Sequence, residues 1–153
     1  MKLVLICVGE LKFKGLVELE RQYIDKINFF TGFEVRGIRD IKSDDDAMKK
    51  KKEGLAILEL LDKRDFVIAL DQYGKKMDSL AFASFLEDKM MHHPHRLVFL
   101  IGGHAGLSEL LNDRIQVKLS FSDLTFGHDI FRLLFLEQVY RAFTIIKKIK
   151  YHR

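Results

Sequence analysis

The stretch VFLIGGHAGLS, residues 98–108, sets an unbroken apolar run directly against Gly102, Gly103 and Gly106. A short run of Val, Phe, Leu and Ile bounded by glycines predicts a strand buried on both faces, as in a parallel sheet. Three glycines in five positions mark either a tight turn after the buried strand, which the residues alone favour, or a place where backbone comes close to a ligand and a Cβ would intrude.

The same alternation continues in both directions. Residues 3–8 form a second apolar run, followed by a helical pattern over 16–29 in which Leu16, Leu19, Tyr23, Ile27 and Phe30 recur at threes and fours. Residues 33–38 alternate apolar and polar and read as a strand. In SDDDAMKKKKEGLAILELLDK, Ser43 is the expected N-cap, the aspartates suit a helix start, and Lys49 to Lys52 read as a solvated helix face rather than an RNA patch. Residues 66–70 are a buried-type strand, 79–91 a helix, 96–101 and 115–119 strands. Residues 129–148 form a long helix with Ile130, Leu133, Leu134, Tyr140, Phe143 and Ile146 on its apolar side. With no linker and no repeat, the pattern predicts one α/β domain over residues 1–153, with a mostly parallel sheet and helices on both faces. Ligands of such folds sit beyond the carboxyl ends of the strands, where ALDQYGKK, IGGHAGLS and LSFSDLTFGHD converge here.

Composition bounds the function. The chain has 153 residues, 48% hydrophobic and 31% charged, as expected of a globular protein. Lys and Arg exceed Asp and Glu by 26 to 22, a net +4 that mildly favours polyanionic partners. No apolar run reaches the roughly 18 residues of a membrane span, and the start MKLVLICVGELKFKG has no small-residue cleavage site, so a cytoplasmic protein is expected. The lone Cys7 lies in an apolar run and reads as buried filler.

Other sites are disfavoured. A dinucleotide fingerprint aligned on Gly103 and Gly106 puts Ile101 where its first glycine belongs, and little room for a helix remains between Leu107 and Asn112. Gly74-Lys75-Lys76 lacks the rest of a phosphate-binding loop. In MMHHPHR, Pro94 breaks the helix that would align His92 with His95, so no metal site is expected. Ser120, His128 and Asp129 are the residue types of a hydrolase triad, but the nucleophile elbow is missing.

FLIGGHAGLS, then LSFSDLTFGHDIFRLLFLEQVYRAFTIIKK and the terminal YHR resemble the RlmH family, the large-subunit ribosomal RNA pseudouridine methyltransferases of the SPOUT superfamily. MKLVLICVGELK and ALDQYGKKMDSLAFA match it too, so the resemblance spans nearly the whole chain. Thr125-Phe126, His128, Arg132, Glu137-Gln138, Tyr140-Arg141-Ala142 and Tyr151-His152-Arg153 fall at family spacing.

The resemblance implies an enzyme that uses S-adenosyl-L-methionine to methylate N3 of a pseudouridine in large-subunit ribosomal RNA, within the ribosome. It also implies a SPOUT-like fold with a C-terminal trefoil knot, a homodimer, and no metal. Carried over by position, the cofactor is held by Leu70, Gly102, Gly103, Phe121, Ser122, Asp123, Leu124, Thr125 and Phe126. On that reading a Cβ at Gly102 or Gly103 would meet adenine or ribose. His128, Arg132, Tyr151, His152 and Arg153 are the implied catalytic set. His128 or His152 is the candidate base for the N3 proton, Tyr151 orients the base, and Arg153 meets a phosphate of the partner's substrate. Helix capping remains an alternative for His128, pairing with Glu137 for Arg132 and Arg141, and Asp123 could as easily repel RNA. The chain departs from the family pattern at Gly127, where proline is common, and at Ala105, where many members carry a polar residue. A SPOUT-like enzyme with another RNA target, or a non-catalytic ribosome-binding module, are the alternatives.

Overall fold

The computed structural model describes residues 2–151. Its elements run β1 (Lys2–Val8), α1 (Lys14–Asn28), β2 (Gly32–Ile38), α2 (Asp46–Leu60), β3 (Phe66–Lys76), α3 (Ser79–His92), β4 (Leu97–Ile101), a 3-10 turn (Glu109–Arg114), β5 (Ile115–Ser120) and α4 (His128–Ile146). The five strands form one sheet in the order β2-β1-β4-β3-β5, and every pairing is parallel.

Successive strand residues point to opposite faces, so the sheet has two cores. Leu3, Leu5 and Cys7 of β1, Ile68 and Leu70 of β3, and Leu97, Phe99 and Ile101 of β4 meet α1, α3 and α4 on one face. Val4, Ile6 and Val8, with Val67, Val98 and Leu100, meet Ile57 of α2 and Leu111 of the 3-10 turn on the other. The centre of the first core is aromatic, with Phe99 at 4.8 Å from Phe135 and 6.4 Å from Phe82 between ring centroids. Cys7 is buried as expected, and loss of solvent pushes its thiol up to about 11, which leaves it a packing residue.

Local chemistry changes several expectations. Asp45, not Ser43, caps α2: its Oδ1 accepts from the amides of Ala47 at 2.9 Å and Met48 at 3.2 Å, while the Ser43 hydroxyl accepts from the Asp45 amide. Ile130 and Leu19 lie at exposed positions, 52% and 38% accessible, because the buried stripes of their helices pass through Leu133 and Ile27 instead. The predicted lack of room after Leu107 is met by a 3-10 turn rather than a full helix.

The third strand outruns its apolar residues. Leu70 and Lys75 both face Leu119, so residues 71–74 bulge out of the ladder before pairing resumes. Gly74 permits this: a Cβ there would stand 2.6 Å from the backbone of Leu119 and Lys118. β3 leaves the sheet toward α3 on one face, and its neighbour β4 leaves toward the 3-10 turn on the other. Outgoing connections that part in this way open a crevice at the carboxyl ends of adjacent strands.

Phe99→Ala removes the hub of the aromatic core. It should lower the unfolding free energy by about 3–5 kcal/mol in a urea titration, with the denaturant slope unchanged if the fold is kept.

Candidate functional site

A cavity of about 450 Å3 fills that crevice. Its walls come from three segments: Leu70, Asp71, Gln72 and Tyr73 at the end of β3, residues 101–107 after β4, and Ser120, Phe121, Ser122, Leu124, Thr125 and Phe126 after β5. His128 and Phe131 of α4 and Lys50 of α2 complete it. The size and the mixture of aromatic wall and backbone suit a small organic ligand.

Each wall has a local cause. The 102–106 turn closes on itself, the Gly106 amide donating to the Gly103 carbonyl at 2.9 Å, with Gly106 at φ +80°. A Cβ on Gly102 would lie 2.7 Å from the Gly106 carbonyl carbon and 2.8 Å from the Leu107 nitrogen. One on Gly103 would lie 2.8 Å from the Glu53 carboxylate and 3.3 Å from Val8. What these glycines approach is therefore their own turn and a side chain of α2. That crowding is sufficient by itself to exclude a Cβ at either position.

The segment after β5 is pinned at both ends. Phe121 packs into the core, 5.1 Å from Phe82 and 6.1 Å from Phe135, and Phe126 stacks on Phe131 at 6.3 Å. Between them the Ser122 hydroxyl accepts from the Leu124 amide, and the buried Ser120 hydroxyl donates to the Ser122 carbonyl. Asp123 stands apart from the cavity walls and pairs with Lys76 of β3 at 2.5 Å, tying this segment to the resumed strand.

A second, smaller cleft of about 210 Å3 adjoins the first, sharing Gly103, His104 and His128. Its lining is polar and includes Lys12, Asp40, Lys49 and Asp129. His128 stands at the junction, exposed on the first turn of α4. Gly127 occupies the N-cap, so the helix entry has no side-chain cap.

The other expected residues lie elsewhere. Arg132 is largely buried and pairs with Glu20 of α1, with a further bond to the Gly9 carbonyl at 3.4 Å; its partner is not Glu137. Arg141 does take Glu137, at 2.6 Å. Tyr151 folds back along α4, where its hydroxyl donates to Glu137 at 3.2 Å and its ring meets Tyr140 and the Arg141 guanidinium. Burial and the surrounding acceptors push its hydroxyl well above the usual tyrosine range, so it stays protonated. His152 and Arg153 lie outside the described residues. His92 ends α3 and bonds Asp88, and among the described residues no group of three potential metal ligands occurs.

Two site residues escaped the sequence. Lys50 belongs to the lysine run read as a solvated face, yet it lines the cavity, while Lys49 bonds Asp40 at 2.7 Å and Lys51 and Lys52 are exposed. Glu53, one turn after Lys49, is buried beneath the glycine turn. Neither carries a motif; only the direction in which α2 crosses the sheet reveals them.

The protein family described as "Predicted SPOUT methyltransferase" matches residues 1–152. At 39% identity over 99% of both chains, the protein is similar to the ribosomal RNA large subunit methyltransferase H of Parabacteroides distasonis. It is equally similar, by identity and coverage, to that of Christiangramia forsetii. A solved structure, the SpoU methyltransferase AviRb from Streptomyces viridochromogenes in complex with AdoMet, aligns loosely: TM-score 0.44, 14% identity, covering 91% of this chain and 56% of that one. The fold class is that of a SPOUT methyltransferase, and within that class the chain belongs to the ribosomal RNA large subunit methyltransferase H family.

The two turn glycines should respond differently to a methyl group. Gly106→Ala meets no atom and carries only the left-handed backbone cost of about 1–2 kcal/mol, whereas Gly102→Ala must displace backbone. Urea unfolding of both variants should show the larger loss for Gly102→Ala; equal losses would mean that the turn yields without cost.

Proposed function

We propose that the protein methylates N3 of a pseudouridine in large-subunit ribosomal RNA, using S-adenosyl-L-methionine, on the assembled ribosome. The observation that carries this reading is the gathering of three strand-end segments into one cavity with His128 on its rim. Membership of the family supplies the reaction class. The residues present fit the cofactor. Leu70, Leu107, Leu124 and Phe126 offer apolar walls, the 102–106 turn offers main-chain groups, and Lys50 offers a cation where a carboxylate could sit. The bound cofactor would supply an activated methyl group, which leaves the protein to align, to exclude water and to manage one proton.

His128 is the proposed group beside the reacting nitrogen, since it borders both the cofactor cavity and the polar cleft. Arg132, held by Glu20, acts by fixing α4 against α1 and so setting the entry of the helix that bears His128. The segment over 121–126 is proposed to form part of a C-terminal trefoil knot, in a single domain formed by the whole chain.

The proposed enzyme is a homodimer in which residues 151–153 serve the partner's cavity. The placement of Tyr151 supports this. Its hydroxyl bonds Glu137, about 13 Å along α4 from His128, and it is absent from the lining of its own chain's cavity. Exposed Leu124, Phe126 and Ile130 beside the cavity mouth supply apolar surface for a second copy to cover. No helix among the described residues is long and apolar enough to cross a membrane. The proposed site of action is the cytoplasm, where the proposed ribosomal substrate is. With a net charge of +4 per chain, naked RNA is held weakly and the ribosome's shape contributes much of the recognition.

Labelled methyl from S-adenosylmethionine should appear in methylated pseudouridine when intact ribosomes lacking the mark are the substrate, and weakly or not at all with bare RNA. Label in another nucleoside would indicate another target, and cofactor binding without transfer to any RNA would indicate a different function. His128→Ala should slow transfer by about 100-fold. Deleting residues 151–153 should abolish transfer while cofactor binding survives; near-normal transfer would remove the tail from the site.

A further inference from the structure

We infer that Glu53 is a positioning residue of the cofactor cavity: its carboxyl group is the support against which the 102–106 turn is folded. The inference rests on the cofactor reading of that cavity. Glu53 projects from α2 into the layer beneath β4's end and is only 2% exposed. Neither carboxyl oxygen has a hydrogen-bond partner among the described residues, and the Ile41 amide favours the anion without making a bond of normal geometry. The position of Gly103 explains the arrangement, since a Cβ there would come within 2.8 Å of one Glu53 oxygen and 3.3 Å of the other. The carboxyl group and the turn therefore fill a shared space, with Val8 as the third wall. The next residue, Gly54, is equally crowded: a Cβ on it would lie 2.4 Å from Ser108, the residue that caps the 3-10 turn. Two adjacent positions of α2 thus grip both ends of the loop that follows β4.

Its surroundings favour the neutral acid of Glu53 over the carboxylate. An ionised carboxylate buried without a partner is strongly unfavourable. Burial raises the group above the usual carboxylate range, Lys49 pulls it down, and Asp40 pushes it up. Lys49 is largely committed to Asp40 at 2.7 Å, so the pair delivers little net charge to Glu53. The other titratable groups around the adjoining cleft are His104 on the turn, Lys12 and Glu10 before α1, and His128 and Asp129 on α4. β1 presents only Val8 here. As a neutral acid, Glu53 sets no charge against the backbone carbonyls of the turn.

The sign of the pH dependence follows. In the unfolded chain Glu53 ionises near 4.5, and in the folded protein at higher pH. The stabilisation it provides is complete below the unfolded value and is lost as pH rises through the folded one. Ionisation under the turn should also spread the cavity wall and weaken the cofactor.

The test measures S-adenosylmethionine binding by calorimetry, and unfolding free energy by urea, from about pH 4 to about pH 9 for the wild type, Glu53→Gln and Glu53→Ala. Gln keeps the shape of the neutral acid and cannot ionise. The expected result is wild-type affinity for Glu53→Gln at the low end of the range, and tighter binding than the wild type at the high end. The stability gap between the two should widen in the same direction, and Glu53→Ala should bind about tenfold more weakly throughout. If Glu53→Gln follows the wild-type pH profile in both readouts, or binds as poorly as Glu53→Ala while folded, the inference is overturned. A wild type that binds no cofactor at any pH overturns the cofactor reading instead, and the stability comparison then decides whether Glu53 is buried as the neutral acid.

Discussion

Everything at the carboxyl edge of the sheet depends on a contact between main chain and main chain: Gly102 lies so close to Gly106 and Leu107 that no side chain fits between them. That closure lets β4 run straight out of the core and reverse within five residues, so that its backbone forms a wall where a longer loop would cover the crevice. A similar contact recurs next door, where Gly74 presses on Leu119 and lets β3 bulge outward at residues 71–74 and then rejoin β5. Two glycines on neighbouring strands therefore hold the two lips of one cavity. Packing alone is enough to require both, and the space left between them is the cavity.

The architecture was legible because its strands are buried on both faces. Leu3 to Val8 and Leu97 to Ile101 are continuous apolar runs with hardly an exposed side chain, and such runs alternating with helical periodicity admit little besides a parallel sheet. The location of the cavity was legible for the same reason, since polar residues follow each run directly. What escaped was whatever depends on distance across the fold. The residues after Leu70 read as a loop because Asp71, Gln72 and Tyr73 are polar, and the resumption of pairing at Lys75 depends on Leu119, far along the chain. Ser43 and Asp45 are equally good caps as residue types, and the choice between them was made by where the helix turns start. Arg132 takes Glu20 from another helix, a partner that no local spacing reveals. Lys50 and Glu53 are indistinguishable in sequence from their solvated neighbours.

The charge distribution around the cavity is economical. Lys76 is bound to Asp123, Lys49 to Asp40, and Arg132 to Glu20, so much of the basic character near the site is already paired. Lys50 and His128 remain on the cavity wall itself, one suited to an anionic group of a cofactor and the other to a proton at the reacting atom. α4 carries His128 at the cavity, while Tyr151 folds back on the same helix at Glu137, away from the cavity walls; in the proposed dimer it serves the partner's cavity. The apolar residues left exposed around Leu124 and Ile130 fit the same arrangement.

The central claim is that the crevice walled by the ends of β3 and β4 and the segment after β5 binds the cofactor. Titration of the isotope-labelled protein with S-adenosylmethionine, followed by backbone amide resonances, tests it most directly. The account predicts saturable shifts concentrated at Leu70, at residues 102–107 and at residues 121–126, with the amides of α3 and the far end of α4 little changed. Saturable shifts confined to any other surface, or none at cofactor concentrations that support methyl transfer, would contradict it.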